Sequence, residues 1–126
     1  MDVPDGLRYS TDHEWVELID GQVRVGITDY AQDALGDVVF VEVPAVGSRV
    51  EATTTFGEVE STKSVSDLFA PVSGTVTAVN EELGDAPERL NDDPYGEGWI
   101  CVIQPDDVAD VEALLDAAAY RELIEG

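Results

Sequence analysis

The stretch "GEVESTKSV", residues 57–65, contains the single lysine of this chain, Lys63. The other basic residues are all arginines: Arg8, Arg24, Arg49, Arg89 and Arg121. The chain carries 28 carboxylates and a formal net charge of -22, so a cation kept for surface balance could equally have been a sixth arginine. Retention of lysine points to a need for its primary amine. That amine can form an amide with a carboxylic acid, which a guanidinium does not do in this way. Its neighbours Ser61, Thr62, Ser64 and Ser66 are small and polar. They leave the bend open to a modifying enzyme, as an exposed loop tip should.

No other residues gather into a reactive set. There is one histidine, His13, and one cysteine, Cys101. Zinc sites built on a pair of histidines are therefore excluded, and no motif sets a serine nucleophile beside His13. No C-x-x-C is present, and no glycine-rich loop ends in Lys-Ser. "DAPER" and "DDPYGEG" are acidic loops without the spacing of a calcium hand. Cys101, in "GWICVIQP", reads as a small buried hydrophobe on a strand. Carboxylate pairs are too common here to single out an acid and a base. The chain lacks the machinery to perform chemistry alone.

The elements that must position Lys63 read mostly as strands. "HEWVELIDGQVRVGI" is a hairpin, with Trp15 and Val23, Val25, Ile27 as the apolar alternation and Asp20-Gly21 as its turn. "TDYAQDAL" reads as a short helix capped by Thr28 or Asp29, with Ala31 and Leu35 on one face, ending at Gly36. "DVVFVEV" is a strand stopped by Pro44. "GSRVEA" is a turn and a short strand. "TTTFGEVES" and "SVSDLFAPV" are two short strands flanking Lys63, and "GTVTAV" and "GWICVIQP" are two more. In "NEELGDAPERLND", Asn80 and Asp85 read as caps of two brief helical turns. "DDVADVEALLDAAAYRELIEG" is helical, in up to two pieces. The fold class expected is mostly β (α+β), a flattened barrel or sandwich with short helices and a C-terminal helical segment. At 126 residues the expectation is a single domain, 1–126, with 44% hydrophobic residues to fill its core.

The charge bears on partners and surroundings. A surface this acidic repels nucleic acid phosphates and anionic membranes. No apolar run approaches membrane-spanning length, and "MDVPDGLRYS" has neither a basic start nor an apolar stretch of a secretory signal. Acidity with lysine all but absent fits a prokaryotic cytoplasm of high salt, where screening relieves self-repulsion.

At Lys63 the sequence resembles a known family. "ESTKSVSDLFAPVSGTV" is similar to the lipoylation hairpin of glycine cleavage H proteins. "YSTDHEWV" at 9–16, "VGITDYAQDALGDVVFVEVPAVG" at 25–47, "VNEELGDAPERLNDDPYGEGWI" at 79–100 and "AYRELIE" near the end continue the likeness in the family's order. It covers nearly the whole chain. The resemblance implies the lipoyl/biotinyl-carrier type of β fold. It implies lipoic acid in amide linkage on Lys63, serving as a carrier without catalysis of its own. A pyridoxal-phosphate glycine decarboxylase would load the arm with the aminomethyl group of glycine. An aminomethyltransferase would pass the carbon to tetrahydrofolate, and a flavin dihydrolipoyl dehydrogenase would reoxidise the dithiol. Lipoyl-attaching enzymes would be further partners, with the carrier a monomer. The family also implies a cleft in which the loaded arm rests, and Glu14, Asp67 and Asp12 are its candidate carboxylates, with Glu14 foremost at the cleft mouth. Thr62 and Ser64 depart from the apolar residue and the alanine more common beside the family's lysine.

Other readings of the lysine hairpin stay open at this level. One is a lipoyl or biotinyl domain of another complex. Biotin carriers usually set methionines beside the lysine, where Thr62 and Ser64 stand here. Another is a family member that mainly relays lipoyl groups, and a third is an unmodified adaptor. Glu14 and Asp67 also read as ordinary strand-surface carboxylates.

Overall fold

The turn at Asp20-Gly21 sets the first hairpin: both residues have positive φ, 51° and 82°, as a two-residue turn of this kind requires. It joins β2 (Glu14–Ile19) to β3 (Gln22–Ile27). The computed structural model describes residues 2–125. A short strand, β1 (Arg8–Tyr9), precedes the hairpin and pairs with β2. α1 (Asp29–Leu35) starts at Thr28, whose hydroxyl accepts the Ala31 N–H, and ends at Gly36 with φ 78°. Of the two caps expected, the threonine takes the role, and the glycine supplies the left-handed stop.

β4 (Val38–Glu42), β5 (Arg49–Val50), β6 (Thr55–Ser61), β7 (Val65–Phe69) and β8 (Gly74–Val79) follow. Asn80 caps a 3-10 turn over Glu81–Gly84 through its side chain. Asp85 closes that turn and does not open the next one, contrary to the sequence reading. The next helix, α2 (Arg89–Asp92), begins after Glu88 with no side-chain cap. Pro87 explains the shift, since a residue before proline avoids the helical region and the helix must start beyond it. β9 (Cys101–Pro105) completes the strands, and the C-terminal segment is two helices, α3 (Val108–Glu112) and α4 (Ala117–Glu125).

The strands form two antiparallel sheets, one of order β1-β2-β3-β9-β8-β5 and one of order β4-β6-β7. The architecture is the mostly-β sandwich with short helices that the sequence implies. Between the sheets lies a core that includes Val16, Val25, Ile27, Val41, Val59, Leu68, Val76, Cys101 and Ile103. Burial pushes the Cys101 thiol up to about 12, so it stays a neutral, inert core group.

A second cluster, Val3, Tyr9, Trp15, Ala117 and Tyr120, lies under α4. Register explains it. Trp15 stands opposite Gly26, while Glu14 and Val16 stand opposite Ile27 and Val25. Because side chains alternate, Trp15 points away from the face that Val23, Val25 and Ile27 supply. The sequence reading had placed it on that face. Gly26 leaves the room: a Cβ there would lie 2.6 Å from the Trp15 ring. The indole N–H is satisfied by the Pro94 carbonyl at 2.8 Å.

Candidate functional site

The hairpin of β6 and β7 carries Lys63 at its tip, with Thr62, Lys63 and Ser64 all exposed. The tip is held from below. Ser61 Oγ accepts the backbone N–H groups of Lys63 and Ser64 at 3.2 and 3.1 Å, and the Ser61 N–H reaches the Ser64 carbonyl at 2.8 Å. Ser61 is thus a turn-forming residue as well as a small one. The Thr62 N–H bonds the Asp37 carbonyl, which ties the tip to the chain leaving α1. The Lys63 side chain runs across Gly36: a Cβ on that glycine would lie 3.2 Å from Lys63 Cε.

Every arginine is engaged. Arg49 pairs with Asp106 and Glu51, Arg89 with Glu97 and Glu82, and Arg121 with Asp5. Arg8 donates to the Leu114 carbonyl, and Arg24 lies over the Trp99 ring at 5.4 Å. The Lys63 ammonium makes no ion pair among the described residues. The arginines hold the structure together, and the lysine amine is left free.

Beside the Lys63 side chain, α1 forms one wall of a cleft of about 340 Å³. Tyr30, Ala31, Ala34 and Leu35 line that wall; Asp12, His13 and Glu14 face them; Ser66, Asp67, Leu68 and Phe69 of β7 close the side. The lining is mainly apolar, with its polar groups at the 12–14 end and the β7 edge.

Glu14 is the group that the sandwich places unusually. Alternation puts it on the inner face with Val16, at the open end of the core, and it is only 2% exposed. It therefore stands in the body of the cleft; both the cleft-mouth expectation and the strand-surface reading are corrected here. Ser10 Oγ donates to Glu14 Oε1 at 2.7 Å, and the Phe69 N–H approaches Oε2 at 3.4 Å. Burial pushes the Glu14 carboxyl up to about 8, and these two hydrogen bonds only partly oppose the shift. By itself, the protein holds Glu14 mostly as a neutral acid at neutral pH. Asp12 and Asp67 are exposed, at the rim, as mouth carboxylates would be. The structure thus brings Glu14, Asp12 and Asp67 to one cleft, and sets Lys63 next to its helical wall.

His13 belongs here too, although its sequence offers nothing but a lone imidazole. It takes a left-handed φ of 68°, and its ring packs against Tyr30 with centroids 4.7 Å apart. Burial lowers its pKa, the more so than nearby Asp12 raises it. The Tyr30/Ala34 spacing on one face of α1 was the available signal for the opposite wall.

The glycine cleavage H-protein family model matches residues 7–126. The chain belongs to the glycine cleavage H-protein family. A glycine cleavage system H protein of Mycobacterium avium is 60% identical over 125 residues, covering 95% of each chain. One from Anaeromyxobacter sp. (strain K) is 55% identical over 125 residues, covering 99% of this chain and 98% of its own. The crystal structure of a glycine cleavage system H protein from Mycobacterium marinum superposes with a TM-score of 0.91 at 45% identity, covering 98% of this chain and 100% of that one. This family match over nearly the whole length disfavours the reading as a domain of another complex. The residues present also fit the family's lipoyl group: a free amine at an exposed tip, and beside it an apolar cleft with a buried carboxyl at hydrogen-bonding readiness.

Proposed function

We propose that the chain serves as the lipoyl carrier of glycine cleavage through a lipoyl group in amide linkage on Lys63, with residues 1–126 acting as one carrier domain. The observation that supports this most is the junction of Lys63 and the cleft. Lys63 is the sole lysine, exposed, without an ion-pair partner among the described residues, and laid across Gly36 at the end of the helix that walls the cleft. When attached, the lipoyl group supplies the disulfide and dithiol that take up and give back the aminomethyl group of glycine. The partners this implies are a pyridoxal-phosphate glycine decarboxylase, a tetrahydrofolate-dependent aminomethyltransferase, a flavin dihydrolipoyl dehydrogenase and lipoyl-attaching enzymes. A tethered cargo meets each of them at high effective concentration. The chain itself works as a non-catalytic monomer.

Within the cleft, Glu14 binds the cargo's amine. Glu14 keeps its proton until an amine arrives, and can then pass that proton to the amine. Carboxylate and ammonium form together, so no bare charge is buried beforehand. Ser10 holds Oε1 and fixes the orientation. Leu35, Leu68, Phe69 and Tyr30 exclude water around it. Asp67 and Asp12 at the rim contribute attraction that solvent screens, and so rank behind Glu14.

The test is to load variants with aminomethyl, remove the decarboxylase and follow ammonia release. A charge-assisted hydrogen bond contributes roughly 1.5–3 kcal/mol, so Glu14→Ala should release about ten- to a hundredfold faster. Asp67→Ala and Asp12→Ala should show smaller gains, and lipoylation of all three should be normal. Equal release from wild type and all three variants would remove the carboxylates from the reading.

For surroundings, no helix of the described residues is long and apolar enough to cross a membrane. A prokaryotic cytoplasm of high salt is the setting we propose, supported by the net charge of -22 and the near absence of lysine.

A further inference from the structure

Behind the cleft, and not lining it, stands a fully buried tyrosine from the last helix. Tyr120 has 0% exposure, and its hydroxyl lies 2.8 Å from His13 Nδ1 and 2.7 Å from Thr28 Oγ1. We propose that Tyr120 is a positioning residue for the arm cleft: delivered by α4, its hydroxyl fixes the His13 ring on one wall and the N-cap of α1 on the other.

The proton count favours one arrangement. Thr28 Oγ1 already accepts the Ala31 N–H, and Thr28 is 0% exposed. If Tyr120 donated to Thr28, the threonine hydroxyl hydrogen would be buried without an acceptor, which is costly. Thr28 therefore donates to Tyr120, and Tyr120 donates to Nδ1 of a neutral His13. The hydroxyl is satisfied in both directions, and it has no freedom left.

The tyrosine is itself immobilised. Its ring stacks on Tyr9, with centroids 4.6 Å apart and 12° between planes. Tyr9 and Leu115 exchange two backbone hydrogen bonds, at 2.8 and 2.9 Å, just before α4 begins. Arg121 donates to the Val3 carbonyl at 2.7 Å. What Tyr120 holds is in need of holding. A non-glycine residue at φ 68° carries strain that persists only when its surroundings over-determine it. His13 sits at that φ between Asp12 and Glu14, with its ring against Tyr30 across the cleft. Without the Tyr120 hydroxyl, the His13 ring can turn, and the two walls keep only the backbone bond from the Thr28 N–H to the His13 carbonyl at 3.1 Å.

This inference rests on the cleft being the arm's resting place, and the experiment separates the two. Four proteins are compared: wild type, Tyr120→Phe, Tyr9→Phe and Glu14→Ala. Tyr9→Phe removes a hydroxyl from the same stacked pair, one bonded to the Pro4 carbonyl and to nothing in the cleft. The first readout uses unmodified protein, in which the single histidine gives one set of imidazole NMR signals. Tyr120→Phe should move the His13 Nδ1 resonance toward that of an unbonded acceptor and weaken its contacts to Tyr30, while Tyr9→Phe leaves both in place. The second readout is ammonia release from loaded protein. Tyr120→Phe should release about fivefold faster, the worth of one ordinary hydrogen bond expressed as a rate. Tyr9→Phe should release as wild type does even if it melts equally early. Unchanged His13 signals in Tyr120→Phe would overturn the proposal. So would equal acceleration in the two tyrosine variants at equal loss of melting temperature, which would mean general loosening. If Glu14→Ala releases faster while Tyr120→Phe does not, the positioning role fails and the cleft stands; if neither does, the cleft reading fails and takes the proposal with it.

Discussion

Replacing Glu14 by glutamine should change how stability depends on pH, in a direction that the burial of Glu14 fixes. A carboxyl whose folded pKa stands above its unfolded value binds more protons in the folded state across the window between them. Its contribution to stability is then fully present below the unfolded value and is lost as pH rises through the folded one. For Glu14 the window runs from 4.5 to about 8. Each unit of difference is worth about 1.4 kcal/mol, so wild type should lose about 3 kcal/mol through Glu14 alone between pH 5 and pH 8. Glutamine has no proton to lose and keeps the shape. It can still accept from Ser10 Oγ, while its amide group meets the Phe69 N–H less well than oxygen does. That mismatch shifts the whole curve by a constant and leaves its slope untouched. The assay is a series of melting or urea curves for both proteins from pH 5 to pH 9 at fixed molar salt. All other titrations are shared and cancel in the difference. Glu14→Gln should gain on wild type steadily as pH rises, by about 10 °C in melting temperature between pH 5 and pH 8 for a chain of this size. Parallel pH profiles for the two proteins would show that Glu14 ionises freely in the folded state, and would refute the neutral, buried acid.

Two further outcomes follow from charge and packing. With 28 acidic and 6 basic residues, folding concentrates repulsion, and the Debye length falls from roughly 30 Å at 0.01 M salt to about 3 Å at 1 M. Melting temperature should rise clearly from dilute buffer to molar potassium chloride, and a flat series would remove the high-salt setting. Gly26→Ala puts a Cβ 2.6 Å from the buried Trp15 ring, so it should cost about 1–3 kcal/mol by urea denaturation. A neutral result would mean that the indole can shift, and that the second core is looser than its packing indicates.

The scaffold was legible in the sequence where local chemistry decides it. Asp20-Gly21 sets its turn, Thr28 and Gly36 bound their helix, and two short strands flank the lysine. Lys63 stood out because the chain uses arginine everywhere else, and the structure gives those arginines work that the lysine does not share. The cleft was less legible. Grouping Trp15 with Val23, Val25 and Ile27 gave a plausible apolar face and left Glu14 at the cleft mouth or on the strand surface. The strand register reverses this, and the clue was Gly26, a glycine inside a strand where a large ring must pass. Asp85 has the side chain of a cap, but Pro87 moves the helix start beyond it. β1 is two residues long, too short to show alternation. The His13–Tyr120 contact spans 107 residues, and no local pattern announces it.

The central claim, a lipoyl arm on Lys63, is tested most directly by intact-mass spectrometry of protein expressed in a lipoylating host, read beside Lys63→Arg. The account predicts one added lipoyl group on wild type, mapped by peptide fragmentation to Lys63. It predicts a further gain when glycine and the decarboxylase are supplied. The arginine variant, folded as well as wild type because the exposed tip contributes little to stability, should show neither gain. A wild-type chain that stays unmodified, or an arginine variant that still acquires the lipoyl mass, would contradict it.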